Sequence, residues 1–338
     1  MKKLIASLLL VALVLSLCAC GPVNEKTVAV LWAEGDKAVD PNTLINAMDR
    51  AMYIENVSYT YYGAQGDAAK QLQQAQEALA ADCGVLMVEP VDDAAAAQFV
   101  ELAKAKNVPL VFFGCEGEEL VVSGYDKCVL VKTNEETLGE KMSEMVSEYL
   151  KDKKTRKNVD RNGDGKIALA NLTGLNLELE VEDVEFLLLD AAPEIDPVTT
   201  EMVLTADDTA AQELLVALQA KDYNTDKLVT QSVAIFTVGN EFDYKAYVLE
   251  GAPEDAEGRK AHFEANKFLV DLTAVEAEDL DAMIYTTANV IDTGRIMGTA
   301  MEDYDAIAEA AAKACATLAT GKTVAEAIIA VDYTTYAG

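Results

Sequence analysis

Four residues near the middle of the chain have the types and the spacing of ligands for a hard cation. Asp160, Asn162 and Asp164 stand on alternate positions, and Gly165 follows them directly. Oxygens at the first, third and fifth positions of such a loop converge on one ion, and a glycine at the sixth position permits the sharp turn. The backbone carbonyl of Lys166, at the seventh position, adds a further oxygen. Asp160, Asn162, Asp164 and Lys166 are therefore the predicted ligands of a calcium ion.

The second half of this loop lacks the ligands that a complete calcium loop carries. Ala168 stands at the ninth position, and Asn171 stands at the twelfth, where a bidentate glutamate would close the shell. A shell of roughly six to eight oxygens then needs water or a remote carboxylate. A turn without metal explains the same residues, because aspartate and asparagine side chains accept hydrogen bonds from nearby backbone N–H groups. The sequence leaves a calcium site and a bare turn as alternatives.

Catalytic chemistry has few side chains to use in this chain. His262 is the only histidine, and it lies in a polar stretch, so neither a histidine base nor a histidine zinc site is expected. The chain contains no GxSxG, P-loop or GxGxxG motif. We predict that the protein is not an enzyme. An enzyme that uses a pair of carboxylates is kept as the third and last hypothesis, after two that are given below. Four cysteines without CxxC spacing are expected to be buried small hydrophobic residues: Cys83, Cys115, Cys128 and Cys315.

The first residues predict export from the cytoplasm. A basic start precedes an apolar run from Leu4 to Leu17, which is too short to span a hydrocarbon core of about 30 Å as a mature helix. This pattern predicts a signal peptide over residues 1–19. The ending Leu-Cys-Ala-Cys resembles a bacterial lipobox, which implies a lipid on Cys20 and a linker over residues 20–26. An ordinary signal peptide with an incidental cysteine is the alternative.

Length and charge narrow the class of protein. A chain of 338 residues exceeds what one hydrophobic core usually organises and favours two lobes. The formal net charge of −31 argues against nucleic acid as a partner, because nothing offsets the repulsion between such a surface and phosphates.

Short β-branched runs alternate with longer helical patterns along the chain. Repeated β-α units of this length imply parallel strands with right-handed crossovers, so the predicted fold class is α/β. The predicted strands are 28–32, 57–62, 84–88, 109–113, 167–172, 202–205, 233–238 and 267–272. The predicted helices are 41–55, 67–81, 92–106, 180–190, 208–219, 241–249 and 305–319.

Four stretches in a fixed order carry a resemblance to a known family. They are Asn107–Phe113, Gly124–Lys127, Thr133–Gly139 and the loop from Asp160 to Gly165. Their order and spacing resemble the type I periplasmic sugar-binding proteins, closest to the galactose/glucose-binding lipoproteins of bacterial ABC importers. The resemblance implies two Rossmann-like lobes joined by a hinge. The N-terminal lobe would take residues 27–133 and about 301–325, and the C-terminal lobe would take 134–300 and about 326–338.

The resemblance also implies a ligand site. An aromatic ring covers the C–H face of a pyranose, and a carboxylate accepts two hydroxyl bonds, so both suit a sugar. Trp32 alternatively caps the core, Asp36 alternatively forms a turn, and Asn240 alternatively caps a helix. The matching positions are Trp32, Asp36, Glu178, Glu180, Asp207, Asn240 and Asp271.

The chain departs from the family at several of its binding positions. Gly114 and Glu302 stand where the family has asparagines, and Val184 stands where it has an arginine. The remote glutamate that completes the family's calcium shell aligns with Ala234. The three acids Glu178, Glu180 and Asp207 would favour a cationic or amine-bearing ligand, and solvated surface acids are the alternative.

Two functions from different classes follow from this resemblance. The first is a lipid-anchored, monomeric receptor of an ABC importer, which closes on a monosaccharide such as galactose or glucose and delivers it to the permease and ATPase subunits. The second is a diverged receptor or sensor on the same fold, with an acid-lined cleft for a cationic or other non-hexose ligand. Both place the protein outside the cytoplasm, attached to the cell membrane through its lipid.

Overall fold

The structure is a computed structural model that describes residues 27–33, 44–115, 124–187, 195–224, 232–240 and 294–338, together with Asp255, Gly258 and Ile291. The chain divides into two compact units. Unit 1 comprises Met1–Lys132 and Tyr304–Ala330, and unit 2 comprises Thr133–Asp303 and Val331–Gly338. The resemblance predicts that the chain passes from one lobe to the other near Thr133, Ala300 and residue 325.

Unit 1 is built on a six-stranded sheet with the order β11-β5-β4-β3-β1-β2. The pairs β1–β2, β1–β3, β3–β4 and β4–β5 are parallel. Strands β1, β3 and β4 are buried throughout, which explains their continuous apolar runs. The strands are β1 (Val28–Trp32), β2 (Tyr59–Gly63), β3 (Val85–Val88), β4 (Leu110–Phe113), β5 (Cys128–Asn134) and β11 (Ile328–Asp332).

Four helices lie in the described part of unit 1: α1 (Leu44–Ile54), α2 (Ala68–Ala80), α3 (Asp93–Lys106) and α7 (Tyr304–Ala319). Helix α2 begins where Asp67 accepts the backbone N–H groups of Ala69 and Lys70. Its buried face packs with α3 and the strands into one hydrophobic core.

The tyrosines of β2 join that strand to α1. The hydroxyls of Tyr59 and Tyr61 both donate to Asp49 Oδ1, at 2.7 and 2.6 Å. Burial, followed by the hydrogen bond to Asp49, raises the pKa of Tyr61 well above its ordinary value. These hydroxyls therefore join strand β2 to helix α1.

Unit 2 is built on a second six-stranded sheet with the order β12-β10-β9-β8-β6-β7. Its neighbours pair in parallel except β12, which is antiparallel to β10. The strands are β6 (Ile167–Asn171), β7 (Val184–Leu187), β8 (Met202–Leu204), β9 (Ala234–Val238), β10 (Gly298–Met301) and β12 (Thr334–Ala337). The two parallel-dominated sheets confirm the predicted α/β class.

The described part of unit 2 includes the helices α4 (Leu138–Lys151), α5 (Lys153–Val159) and α6 (Asp208–Gln219), and the short 3-10 helix Glu135–Thr137 precedes α4. One core lies between α4 and one face of the sheet, and a second core lies between α6 and the other face. Helices on both faces of a parallel sheet are typical of a doubly wound fold. Among the residues that the structure describes, no helix is long and apolar enough to span a membrane.

The predicted helix over 180–190 is wrong in its described part. The chain there forms strand β7, which pairs in parallel with β6. The preceding residues 172–183 form an irregular segment along α4, where Ser143 Oγ accepts the N–H of Glu178 and Ser147 Oγ accepts that of Glu180. Alternating apolar residues account for this course, because Leu175, Leu177, Leu179 and Val181 all pack against the core of unit 2. The predicted helix over 241–249 and strand over 267–272 lie outside the described residues.

Three of the four cysteines that the sequence predicts to be buried are buried in the structure, and the fourth is partly exposed. Cys83, Cys128 and Cys315 are buried, Cys115 is half-buried, and these four described cysteines form no disulfide with one another. Burial, followed by the charge of Cys115, raises the pKa of Cys128 to about 12. Cys128 is therefore a thiol at neutral pH and acts as a small apolar side chain.

Candidate functional site

The carboxyl ends of neighbouring parallel strands are the places where an open α/β sheet presents ligand-binding loops. In unit 1, strands β1, β3 and β4 are adjacent, and the residues that follow them are Ala33, Glu89 and Gly114. We call these three residues the unit 1 edge. They include one side chain that can bind a solute, the carboxylate of Glu89.

Glu89 is held by the backbone around it. Its Oε2 accepts the N–H of Ala33 at 3.0 Å, and its own N–H donates to Leu31 O at 2.9 Å. The buried Gln71 of α2 brackets it, because Gln71 Nε2 donates to Glu89 O at 2.6 Å and Gln71 Oε1 accepts the N–H of Val91 at 3.0 Å. A half-buried carboxylate fixed in this way is a preorganised acceptor.

Gly114 leaves room for this carboxylate. A Cβ at position 114 would lie 3.3 Å from Glu89 Cγ and 3.4 Å from Glu89 Oε1. The φ of Gly114 is +62°, a conformation that glycine adopts without strain. The position of the Glu89 carboxylate therefore depends on the absence of a side chain at position 114.

Trp32, the predicted stacking residue, is 2% exposed at the end of β1. Its ring makes edge contacts with Phe113 and Tyr61, with centroid separations of 5.0 and 6.0 Å. Its indole Nε1 has no hydrogen-bond partner in the part of the chain that the structure describes. Trp32 thus combines a packing role with a buried donor that a bound polar group would satisfy.

In unit 2, polar residues come shortly after the described strands β8, β9 and β10. The unit 2 edge consists of Thr205, Asp208, Gly239, Asn240 and Glu302. Thr205 is buried and its Oγ1 donates to Phe236 O at 3.2 Å. Glu302 is exposed and its Oε1 accepts a bond from Thr133 Oγ1 at 2.5 Å.

Asp208 and Gly239 fit each other closely. Asp208 is 5% exposed, and a Cβ at position 239 would lie 2.8 Å from its Oδ2. Gly239 has a φ of +116°, and its carbonyl accepts a bond from Thr299 Oγ1 at 2.5 Å. A side chain at position 239 would displace the carboxylate, so glycine is required there.

Asn240 directly follows this glycine and is half-buried. Its Oδ1 is buried and accepts no hydrogen bond from the described residues. An unsatisfied buried amide oxygen is destabilising, and a ligand hydroxyl or amine would satisfy it. Of the predicted ligand residues, Asn240 has the geometry that best suits this role.

The predicted acids occupy other places. Asp207 is exposed and its Oδ1 accepts the N–H of Ala210 at 2.7 Å as the N-cap of α6. Glu178 and Glu180 are exposed on the segment along α4, and Glu180 Oε2 lies 3.2 Å from Lys151 Nζ at the C-terminal end of that helix. The structure therefore does not bring these two glutamates to the unit 2 edge.

The other positions that the resemblance implies are one strand residue and residues outside the described part of the chain. Val184 is the first residue of β7, so it lies at the amino end of the sheet. Asp36 and Asp271 lie outside the described residues, as does Cys20. Glu89 and Asp208 are the acids that sequence reasoning missed. For Glu89 the signal was its position directly after the buried run VLMV.

The loop with calcium-type spacing lies at the amino end of β6, away from the unit 2 edge. Asp160 accepts the N–H groups of Gly163 and Gly165, Asn162 accepts that of Asp164, and Asp164 accepts that of Lys166. Ala168 and Ala234 offer no side-chain ligand. Among the described residues, no group of three or more His, Cys, Asp or Glu side chains is placed to hold a metal ion. The donor set does not complete a calcium shell.

Comparisons with known proteins agree with this architecture. The sequence profile of the periplasmic binding protein domain matches residues 41–323. An ABC transporter, LacI family transcriptional regulator from Brachyspira murdochii is similar in fold, with 12% identity, a TM-score of 0.51 and coverage of 93% of this chain and 95% of that one.

Two further solved structures show weaker superposition. An ABC transporter solute binding protein from Bacillus halodurans with bound myo-inositol has 16% identity and a TM-score of 0.47, with 94% and 96% of the two chains covered. A glucose-galactose binding protein from Geobacillus stearothermophilus has 14% identity and a TM-score of 0.44, with 93% and 98% covered. Because the profile match extends over most of its length, the chain belongs to the type I periplasmic binding protein family, whose members are extracytoplasmic solute receptors without catalytic activity.

Proposed function

We propose that this protein is the receptor of an ABC importer for a small polyhydroxylated solute, a monosaccharide. The buried amide oxygen of Asn240 carries the proposal, because it needs a donor that the described residues do not supply. In the same unit, Asp208 beside Gly239 supplies a further carboxylate. In unit 1, Glu89 beside Gly114 supplies an acceptor of the same kind. Hydroxyl groups donate to amide and carboxylate oxygens, so a polyol suits the acceptors of each unit taken by itself.

Galactose and glucose are the first ligands to test, because the resemblance of the chain implies them. A hexose of this kind would be delivered to permease and ATPase subunits. Lipid attachment through Cys20 would hold a monomeric receptor at the cell membrane. Mass spectrometry of the protein from membranes tests this anchor, and a mature N-terminus other than a lipid-modified Cys20 rejects it.

A cationic or amine-bearing solute is the second candidate. The described residues that directly follow the parallel strands include Glu89 and Glu302 and no Lys, Arg or His. Carboxylates attract an ammonium group more strongly than a neutral hydroxyl. The same acceptors therefore support an amino sugar or a polyamine.

Calorimetric titration of the purified full chain separates these candidates. We expect sub-millimolar binding of galactose or glucose, with ribose and spermidine as the competing titrants. Heat from spermidine, with every neutral sugar silent, selects the second candidate. Asn240→Ala is the site variant, and Asn176→Ala, at an exposed position of the segment along α4, is its control. Equal affinity of the two variants would contradict the assignment of Asn240.

A further inference from the structure

Glu201 joins the two ends of the loop with calcium-type spacing. It precedes β8 and is 1% exposed. Its Oε1 accepts the N–H groups of Arg161 at 2.7 Å and Asn162 at 3.3 Å, and its Oε2 accepts that of Ala168 at 3.1 Å. One buried carboxylate thus bonds both the start of the loop and the strand that follows it.

Arg161 completes this arrangement from inside the loop. Its guanidinium donates to Ser232 O, Pro197 O and Thr200 O, each at 2.6 Å. The group also lies over the ring of Tyr223, at 5.8 Å from the centroid. Burial lowers the pKa of Arg161, and the charge of Glu201 acts in the opposite direction. The arginine remains a cation whose charge offsets the buried glutamate.

The position of Glu201 relates it to the missing calcium ligand. The N–H of Ala234, the residue aligned with the family's remote glutamate, donates to Glu201 O at 2.9 Å. Glu201 therefore lies just before the neighbouring strand β8, next to the position where the family's carboxylate is replaced by Ala234. Its oxygens accept backbone N–H groups, whose positive ends would repel a metal ion at the same point.

We propose that the charged side chains of Glu201 and Arg161 hold the loop in its conformation. They have the structural role that calcium would otherwise fill. Three backbone N–H groups of the loop and of β6 donate to this one carboxylate. The loop then keeps its shape without metal, and its aspartates act as turn residues. This inference does not depend on the identity of the solute.

Thermal unfolding of the full chain in calcium chloride and in EDTA tests the proposal. A site filled at a hundred times its dissociation constant raises the folded-to-unfolded ratio about 100-fold and moves Tm of a chain of this length by about 4 °C. We expect the same Tm in both solutions and no heat on calorimetric titration with calcium chloride. A calcium-dependent rise of Tm would overturn the proposal.

Two variants make the test specific. Asp164→Asn removes a charge but keeps the side-chain oxygen that accepts the N–H of Lys166, so its Tm should equal that of the wild type in either solution. Glu201→Gln places an amide N–H₂ against backbone N–H donors, so its Tm should fall and calcium should not restore it. Unchanged stability of Glu201→Gln would refute the role of Glu201. If Glu201→Gln does not fold, the wild type and Asp164→Asn decide the question.

Discussion

A carboxylate at the end of a parallel strand selects among solutes by accepting hydrogen bonds and never donating them. Glu89 has this position in unit 1, and the absence of a side chain at Gly114 gives it room. An asparagine at position 114 would offer both a donor and an acceptor. We propose that, with glycine at position 114, the Glu89 carboxylate gives the unit 1 edge a preference for solutes rich in donors.

Glu89→Gln tests this single side chain. We expect weaker binding of the solute identified by calorimetry, because a hydrogen bond to a charged group contributes about 1.5–3 kcal/mol, or roughly 10- to 100-fold in affinity. Glu101→Gln removes the same charge from an exposed position on α3 and should leave the affinity unchanged. Equal losses in both variants would mean that net charge, and not position, governs binding.

The resemblance to the family, and not a local pattern, supplied the candidate site residues. It placed Asn240 directly after a strand and a glycine, where the structure also has it. Glu178 and Glu180 were placed by alignment, but the segment that carries them follows α4 and leads away from the unit 2 edge. Glu201 could not be found from sequence, since its partners lie 33 to 40 positions away in the chain.

At the scale of elements, helix α2 fixes the backbone of the unit 1 edge through a buried side chain. Its buried face carries Gln71, whose amide satisfies a carbonyl and an N–H on either side of Pro90. A buried amide that joins a helix to a loop fixes the path of that loop. The backbone of Glu89 is thereby set by a helix that is distant in sequence.

Gln71→Ala should lower the free energy of unfolding by about 2–4 kcal/mol, because it leaves two backbone groups without their partner. It should also weaken binding of the solute, since Glu89 loses its support. Gln73→Ala alters an exposed position of the same helix, where Gln73 bonds the exposed Glu77, and should change stability by less than about 0.5 kcal/mol. Chemical denaturation measures both variants. A stable Gln71→Ala would show that the backbone holds Glu89 without help.

Most elements were predictable because their periodicity was strong. The continuous apolar runs predicted β1, β3 and β4, and the Asp67 cap marked the start of α2. The stretch 172–183 was harder, because residues 175–181 alternate as in a strand yet pair with no strand. They pack on α4 through side chains and through Ser143 and Ser147. Tertiary packing overrode the local pattern there.

At the scale of the whole molecule, the large negative charge is the main electrostatic influence on stability. A net charge of −31 on 338 residues makes the folded state repel itself. The described ion pairs are largely exposed, and exposed pairs contribute little to stability. The hydrophobic cores must therefore stabilise the fold against this repulsion.

Added salt should raise Tm of the purified chain. Between about 0.01 M and about 0.1 M, the screening length falls from about 30 Å to about 10 Å, so most of the repulsion between surface carboxylates is lost. Differential scanning calorimetry in sodium chloride measures the rise, and choline chloride should reproduce it. A rise confined to sodium chloride would indicate specific ion binding, and a fall in Tm would contradict the argument.

The cysteines described above make the protein suited to conversion into an optical sensor. Cys83, Cys128 and Cys315 are buried, whereas Cys115 is half-buried and directly follows Gly114 at the unit 1 edge. Of these four cysteines, a thiol-reactive dye would therefore label Cys115 in preference to the other three. Its emission would report on the surroundings of Glu89, so solute binding could be followed without introducing a cysteine.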